Sequence, residues 1–434
     1  MSIDRSTPPP ITDFQEIRLD VPHPTTLSNG VPVWVIGNSE DEINKITIYM
    51  TGGTFQESRS MQATACSMSV FNGNKNMTYA QIAEAIDYYG AWRALQTYDN
   101  CTAFALSSLN YNFEKTLPIF IDCMRFPTFP DDEFDLIKRQ LTVGCATARE
   151  RVMYIANKEI MRQYYGASHP LATDPTPDDI NSLSQADIHN FYSDNYKAQN
   201  CNIVLAGKIT DREMRIVDDV FSQWMPSGSP TPIIEPQAQP TDNMLKIVHK
   251  EGAVQAAVVM MLKAIPRKHP DYLKLRVLIT VLGGYFGSRL MSNIREDKGY
   301  TYGIHSSLSG RAFDGYIGIT TECDTQHTWN VIEETKKEMQ RLCSELIPQQ
   351  ELDNVKRHML SDLVKTLDTP FNIASYIGNM FCYGVYPEYF NEQVREIIDV
   401  TNEDLLDIAR RYLDISRLRV VIACDKSKLP DAVL

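Results

Sequence analysis

The feature that most constrains this 434-residue chain is that it repeats itself at about half its length. Phe134-Asp135-Leu136-Ile137-Lys138-Arg139 reads against Leu352-Asp353-Asn354-Val355-Lys356-Arg357, 218 positions further on. Ala186-Asp187-Ile188 and the strand-like Val204-Leu205-Ala206 read against Glu403-Asp404-Leu405 and Val421-Ile422-Ala423 at an offset of 217. Any two helix-then-strand passages look somewhat alike, but a shared period points to duplication of one folding unit. Between the copies, Pro226 to Pro240 is rich in Pro, Ser and Gly with no periodicity, as expected of an extended linker. The expected organisation is a domain over 1–225, a linker over 226–242 and a second domain over 243–434.

Each copy mixes short strands with long helices. Val33 to Ile36 and Ile46 to Met50 alternate or run apolar like strands. Tyr79 to Tyr89 carries the helical stripe Ile82, Ala85 and Ile86 and stops at Gly90. Asp131-Asp132-Glu133 opens a long helix, expected to run through Gln163, with its acids at the positive N-terminal end. The second copy gives strands at Ile247, Val254 to Leu262, near Tyr302, Ile317 to Thr320 and Leu418 to Ala423, with a helix from Tyr272. The fold class is therefore α+β, two homologous repeat domains, each a mostly antiparallel sheet with helices on one face.

Bulk chemistry excludes several functions. Charged residues make up 22% and hydrophobic ones 43%, ordinary for a globular protein. The net charge of −13 would repel phosphate backbones, so nucleic acid is not expected as a partner. No apolar run is long enough to cross a membrane, and the polar, proline-rich Met1 to Phe14 has no signal-peptide pattern. The nine cysteines are scattered and never spaced C-x-x-C, which reads as reduced thiols in a cytoplasm. A periplasmic location stays open if a leader has been removed. There is no G-x-x-x-x-G-K-[ST] motif, and Gly283 to Ser288 follows a helix-like run, so it reads as a tight turn with Ser288 capping the next helix. Lys336 to Arg341 reads as a solvated helix face.

Several passages, in order along the chain, together resemble the insulinase/pitrilysin zinc peptidase family. Leu27-Ser-Asn-Gly-Val31 is similar to its opening L-x-N-G hairpin, and Ile46 to Ser58, with Thr51-Gly-Gly-Thr54 and Glu57, to its second strand ending in a G-S-x-x-E turn. Phe71 to Asn76 followed by Tyr79 to Ile86 resembles the F-x-G-T-x-x loop and its helix. Most specific are Val281 to Leu290 and Ile294-Arg-Glu-Asp-Lys-Gly-Tyr-Thr-Tyr302, which resemble the L-G-G-x-x-S-x-L and I-R-E-x-x-G-x-x-Y signature.

The resemblance carries a conspicuous loss. Active members hold Zn²⁺ with H-x-x-E-H on the helix before the F-x-G-T loop, the central Glu acting as general base, and a third ligand about 75 residues on. Here those positions are Thr64, Ala65, Cys66, Ser67 and Met68, with Thr64 and Met68 in place of the imidazoles and Ser67 in place of the base. The third ligand would fall near Gly144 and Cys145, and no two of the eight histidines lie four apart. No metal is expected in this chain; a substitute site using Cys66 and Cys145 is weighed against the simpler reading of both as small buried hydrophobes. What remains is the family's Arg/Tyr pair, Arg295 and Tyr302, which the resemblance implies would hydrogen-bond the scissile carbonyl and its oxyanion. Alone, these residues could equally be a snorkelling Arg and a Tyr packed in a sheet. The family's substrate-docking edge would be Ala94-Leu95-Gln96, where the usual Asn-Ala is replaced by Ala94-Leu95.

Some half-size bacterial members divide the labour between a zinc-bearing subunit and an Arg/Tyr subunit, and this chain resembles the second. The implied function is the zinc-less subunit of a heterodimeric metalloendopeptidase, inactive alone, with zinc in a homologous partner and peptide as substrate; a self-dimer is the other assembly considered. The alternatives are a catalytically silent scaffold of the same fold and a hydrolase with unorthodox metal ligands.

Overall fold

The computed structural model describes Ser6 and residues 16–37, 39–233 and 235–431. The proline-rich start read at Met1 to Phe14 otherwise lies outside the described residues, as does Ile234 of the linker.

Among the described residues, eleven strands form two sheets. The first comprises β1 (Thr25–Thr26), β2 (Pro32–Ile36), β3 (Ile43–Thr51), β4 (Trp92–Thr97), β5 (Cys101–Leu109) and β6 (Cys201–Gly207), in the order β1-β2-β6-β3-β5-β4. The second comprises β7 (Leu245–His249), β8 (Gln255–Ala264), β9 (Thr301–Gly310), β10 (Gly315–Asp324) and β11 (Arg419–Cys424), in the order β7-β11-β8-β10-β9. Apart from β1 the two orders are one pattern. A parallel pair, β2 with β6 and β7 with β11, is followed by antiparallel neighbours out to an open edge, β4 or β9. The duplication read from two short sequence matches is thus a duplication of topology, and the α+β class holds.

The central strands β6, β8 and β11 run almost uninterruptedly apolar because both of their faces are covered. On β8, Ala256, Val258, Met260 and Leu262 enter one core while the alternate Ala257, Val259 and Met261 enter another. On β6, Ile203 and Leu205 face the main core of the first half while Val204 and Ala206 face the opposite side. The main core of the first half is filled by its own helices, among them Gln62–Ser69, Phe113–Arg125 and Gln185–Asn195.

The opposite faces are covered by an exchange. Helix Val152–Tyr165 belongs to the first half but lays Ala156, Ile160 and Tyr164 on Ala257, Val259 and Val421 of the second sheet. Helix Pro370–Tyr383 of the second half lays Ala374 and Ile377 on Tyr49, Ala103 and Val204 of the first sheet. The two helices start 218 positions apart, so they are the same element of the repeat, traded between copies. Helices therefore lie on both faces of each sheet, one face supplied by the neighbour. The trade requires a break where the sequence suggests one long helix from Asp131 to Gln163. The chain forms two, Asp131–Arg149 and Val152–Tyr165, with Arg151 extended between them, because only a redirected second helix reaches the far sheet.

Close approach fixes the seat of the exchanged helix. A Cβ at Gly378 would overlap the Tyr49 ring, and Phe381 one turn on meets Tyr49 edge-on at 5.8 Å and Trp34 at 5.6 Å. Ion pairs Lys246–Glu159 (2.7 Å) and Lys250–Glu150 (2.6 Å) tie the other exchanged segment to the second sheet. The chain start adds to the crossing: the Leu19 amide donates to Asn391 Oδ1 and the Asn391 amide donates back to the Leu19 carbonyl, both at 2.9 Å.

One expectation is overturned here. Cys101 of β5 and Cys382 of the exchanged helix, 281 residues apart in sequence, are joined as a disulfide with Cα atoms 6.0 Å apart. Scattered spacing hid the pair, because only the exchange brings these two positions together; the other seven cysteines are free.

Gly378→Ala should lower stability by about 1–3 kcal/mol, the usual range for overpacking a close contact, read as a lower urea midpoint. An unchanged midpoint would mean that Tyr49 moves aside freely. In denaturant without reductant, seven of the nine cysteines should react with a thiol reagent, rising to nine after reduction. Nine reactive thiols from the outset would exclude the bridge.

Candidate functional site

The positions of the absent zinc motif lie on helix Gln62–Ser69, whose inward residues Ala63, Ala65 and Cys66 are fully buried. Thr64 and Met68, four apart, share the half-exposed face on which two imidazoles would stand. Ser67 is buried and its hydroxyl is used twice, with the Thr64 carbonyl at 2.9 Å and with Thr97 Oγ1 at 3.0 Å. That second bond joins the helix to the end of β4, so the structure brings the motif positions and the expected peptide edge together.

Neither the motif nor its substitutes fit zinc. Thr64, Ser67 and Met68 offer no imidazole, no thiolate and no carboxylate. The Cys66 thiol points to the Ile188 carbonyl at 3.7 Å, and burial pushes its pKa well up, away from the thiolate a metal needs. Cys145 points elsewhere, to the Pro175 carbonyl at 2.8 Å. Among the described residues there is no cluster of three or more His, Cys, Asp or Glu able to hold a metal ion.

A residue whose role the sequence did not disclose is Glu57. Its carboxylate accepts the Ala63 amide at 2.9 Å and so caps helix Gln62–Ser69, next to Met61 in the left-handed conformation at φ 69°. Burial raises its pKa to about 7, against the opposing pull of backbone hydrogen bonds from Ala63, Met61 and Thr64. The acid stands in the stretch resembling the G-S-x-x-E turn, but only the fold shows it closing helix Gln62–Ser69.

Strand β4 is the free edge of the first sheet, bonded to β5 on one side only. Ala94, Leu95 and Gln96 are all exposed there, and Trp92 beside them is 73% exposed. An edge of unpaired amides and carbonyls is the physical requirement for adding an extended peptide as a further strand.

In the second half, Arg295 lies in the helical turn Met291–Asp297 and Tyr302 on β9, which is likewise an open edge. The structure brings the pair together: Arg295 Nε donates to the Tyr302 carbonyl at 3.1 Å, and the guanidinium lies 4.7 Å from the Phe286 ring centroid. Tyr302 is 92% exposed and its hydroxyl bonds to none of the described residues, so it is not a sheet-packed tyrosine. The second terminal nitrogen of Arg295 likewise has no partner among the described residues, the first lying 3.5 Å from Glu296. Two donors are therefore presented to solvent from one edge. Among the described residues no hydrogen bond or ion pair links this pair to helix Gln62–Ser69 or to β4. Phe286 is the neighbour that the sequence did not single out.

The expected tight turn is present at Tyr285 to Ser288, where the Ser288 amide donates to the Tyr285 carbonyl at 3.1 Å. Gly283 just before it has a further role in close helix-to-sheet approach, since a Cβ there would come within 2.7 Å of the Ser306 amide. The Ser288 hydroxyl, expected to cap, is buried without a hydrogen-bond partner.

Comparison with known proteins agrees with this geometry. Residues 182–359 match the family described as peptidase M16 inactive domain. The chain is 23% identical over 391 residues to the Bacillus subtilis protein named uncharacterized zinc protease YmxG, covering 89% of this chain and 94% of that one. It is 21% identical over 388 residues to the Helicobacter pylori protein named non-peptidase homolog YmxG, covering 87% and 88%. A crystal structure of a peptidase M16 inactive domain from Pseudomonas fluorescens shares the fold, with a TM-score of 0.86 at 23% identity over 94% of this chain and 99% of that one.

Glu57 generates a pH prediction. A carboxyl whose folded pKa is raised favours the folded state when protonated, and that contribution is lost as pH rises through about 7. The melting temperature of Glu57→Gln relative to the native chain should therefore improve from pH 5 to pH 8. A difference that does not change with pH would show that Glu57 is ionised throughout.

Proposed function

We propose that this chain, a peptidase M16 family member of the inactive type, is the zinc-less subunit of a two-chain peptidase and supplies Arg295 and Tyr302 to a site whose zinc sits in a homologous partner. The observation that carries the reading is the pairing of loss and retention. The metal helix keeps its packing but none of its ligands, while Arg295 and Tyr302 stay in contact with free donor groups facing outward. Such donors act where charge develops, so they belong opposite a metal-bound nucleophile rather than in an isolated chain. Peptide would lie along an open edge strand, with β4 at Ala94, Leu95 and Gln96 available for this.

A second reading is a catalytically silent scaffold of the same fold, and the name of the Helicobacter pylori relative, a non-peptidase homolog, favours it. The exposure of Tyr302 would then serve assembly. A hydrolase with its own unorthodox metal has no supporting side-chain cluster among the described residues. The Cys101–Cys382 bridge favours an oxidising compartment over the cytoplasm, and no helix among the described residues is long and apolar enough to cross a membrane.

The test measures zinc and peptide cleavage for the purified chain alone and mixed with a zinc-motif homologue from the same source. Cleavage should appear only on mixing. Arg295→Ala and Tyr302→Phe in this chain should each lower kcat of the mixture about 10²–10³-fold, with a smaller effect on KM. Activity on mixing that ignores both substitutions, or no activity with any partner, supports the scaffold; stoichiometric zinc in the lone chain overturns both readings.

A further inference from the structure

The segment that delivers Arg295 begins with the loop Gly283 to Ser288, whose one large exposed side chain is Phe286. Packing holds this loop in place. The Tyr285 ring stacks on His358 at 5.0 Å, and a Cβ at Gly287 would come within 2.9 Å of that ring. A Cβ at Gly284 would come within 3.1 Å of Thr280. Just past the loop, Arg289 holds Glu351 in a bidentate pair at 2.8 and 3.0 Å. Phe286 itself points away from this packing and is 63% exposed, so it adds little to the core.

What Phe286 does touch is Arg295, whose guanidinium carbon lies 4.7 Å from the ring centroid. Three neighbours compete for that guanidinium. The Tyr302 carbonyl accepts from Nε at 3.1 Å, the Phe286 ring covers a face, and the Glu296 carboxylate lies 3.5 Å from one terminal nitrogen. An arginine side chain carries large rotamer freedom, and a neighbouring carboxylate draws it toward an ion pair. The Nε bond fixes one point but lets the guanidinium plane swing about it. A ring lying against the face of the plane opposes that swing. The repeat sets this residue apart. The loop between helices Gln62–Ser69 and Tyr79–Tyr88 reads Phe71-Asn72-Gly73 against Tyr285-Phe286-Gly287, an offset of 214 (285 − 71), so Asn72 stands where the Arg295-bearing copy has its exposed aromatic.

We propose that Phe286 is the positioning residue of the Arg/Tyr edge. Its ring holds the Arg295 guanidinium on the Tyr302 carbonyl and away from Glu296, so that the terminal nitrogens stand ready for the carbonyl oxygen of a peptide. The consequence for cleavage rests on the two-chain peptidase reading; the contact between Phe286 and Arg295 does not.

Two measurements separate these. In the isolated chain, the Arg295 Nε–H signal of a nitrogen–proton correlation spectrum, assigned by its loss in Arg295→Lys, reports the contact directly. Phe286→Leu, apolar but without an aromatic face, should speed exchange of that proton with water severalfold, while Phe286→Tyr should leave it as in the native chain. In the mixture with a zinc-motif homologue, Phe286→Leu should lower kcat about two- to fivefold, the range of an exposed cation–π contact, with KM unchanged. Phe286→Tyr should restore kcat. An Nε–H signal indifferent to Phe286→Leu overturns the proposal, as does a native kcat in an active Phe286→Leu mixture. If no partner activates the chain while the signal responds as expected, the peptidase reading falls and the positioning of Arg295 stands.

Discussion

The helix exchange is the contact on which the rest of the molecule depends. Each sheet is apolar on both faces, so each half alone would leave a face of Val, Ala and Met side chains in water. The missing cover comes from the other copy, Val152–Tyr165 in one direction and Pro370–Tyr383 in the other. Covering by exchange makes the two halves one folding unit even though each has its own sheet. It explains the bare Gly378 under Tyr49, the extended Arg151 that redirects a helix, and the Cys101–Cys382 bridge, all of which lie on the exchanged segments or their seats.

The same logic explains how helix Gln62–Ser69 stands without any metal ligand. Helix Gln62–Ser69 is held by Ala63, Ala65 and Cys66 on its buried side, by the Glu57 carboxylate at its start and by the Ser67 bond to Thr97. None of these contacts requires a ligand on the exposed face, so Thr64 and Met68 can occupy ligand positions without loosening the helix. The Arg/Tyr edge is built by separate elements. Arg295 steadies the backbone of Tyr302 and stacks on Phe286, an arrangement that survives whether or not zinc stands opposite.

Much of this was legible in the chain itself. The period near 218 announced two copies, the apolar runs located most strands, and the residues at Thr64, Ser67 and Met68 ruled out the usual zinc site by chemistry alone. These signals are local: a repeat, a strand or a ligand set is written in neighbouring residues, and side-chain type limits what a position can bind. The pairing of Arg295 with Tyr302 was visible for the same reason, as a spacing inside one motif.

Tertiary structure decided whatever depends on residues far apart in sequence. An apolar run says that both faces of β8 are covered but not by which helix, and an amphipathic helix does not state which sheet it joins, so the exchange was invisible. The disulfide could not be read from nine scattered cysteines because its partners are 281 residues apart and meet only through that exchange. Glu57 gained its raised pKa from burial that the assembled fold imposes. The sequence by itself determined the repeat, the fold class and the absence of zinc ligands at Thr64, Ser67 and Met68; the tertiary structure alone decided which copy covers which sheet, because burial is a property of the assembled surfaces and not of any one segment.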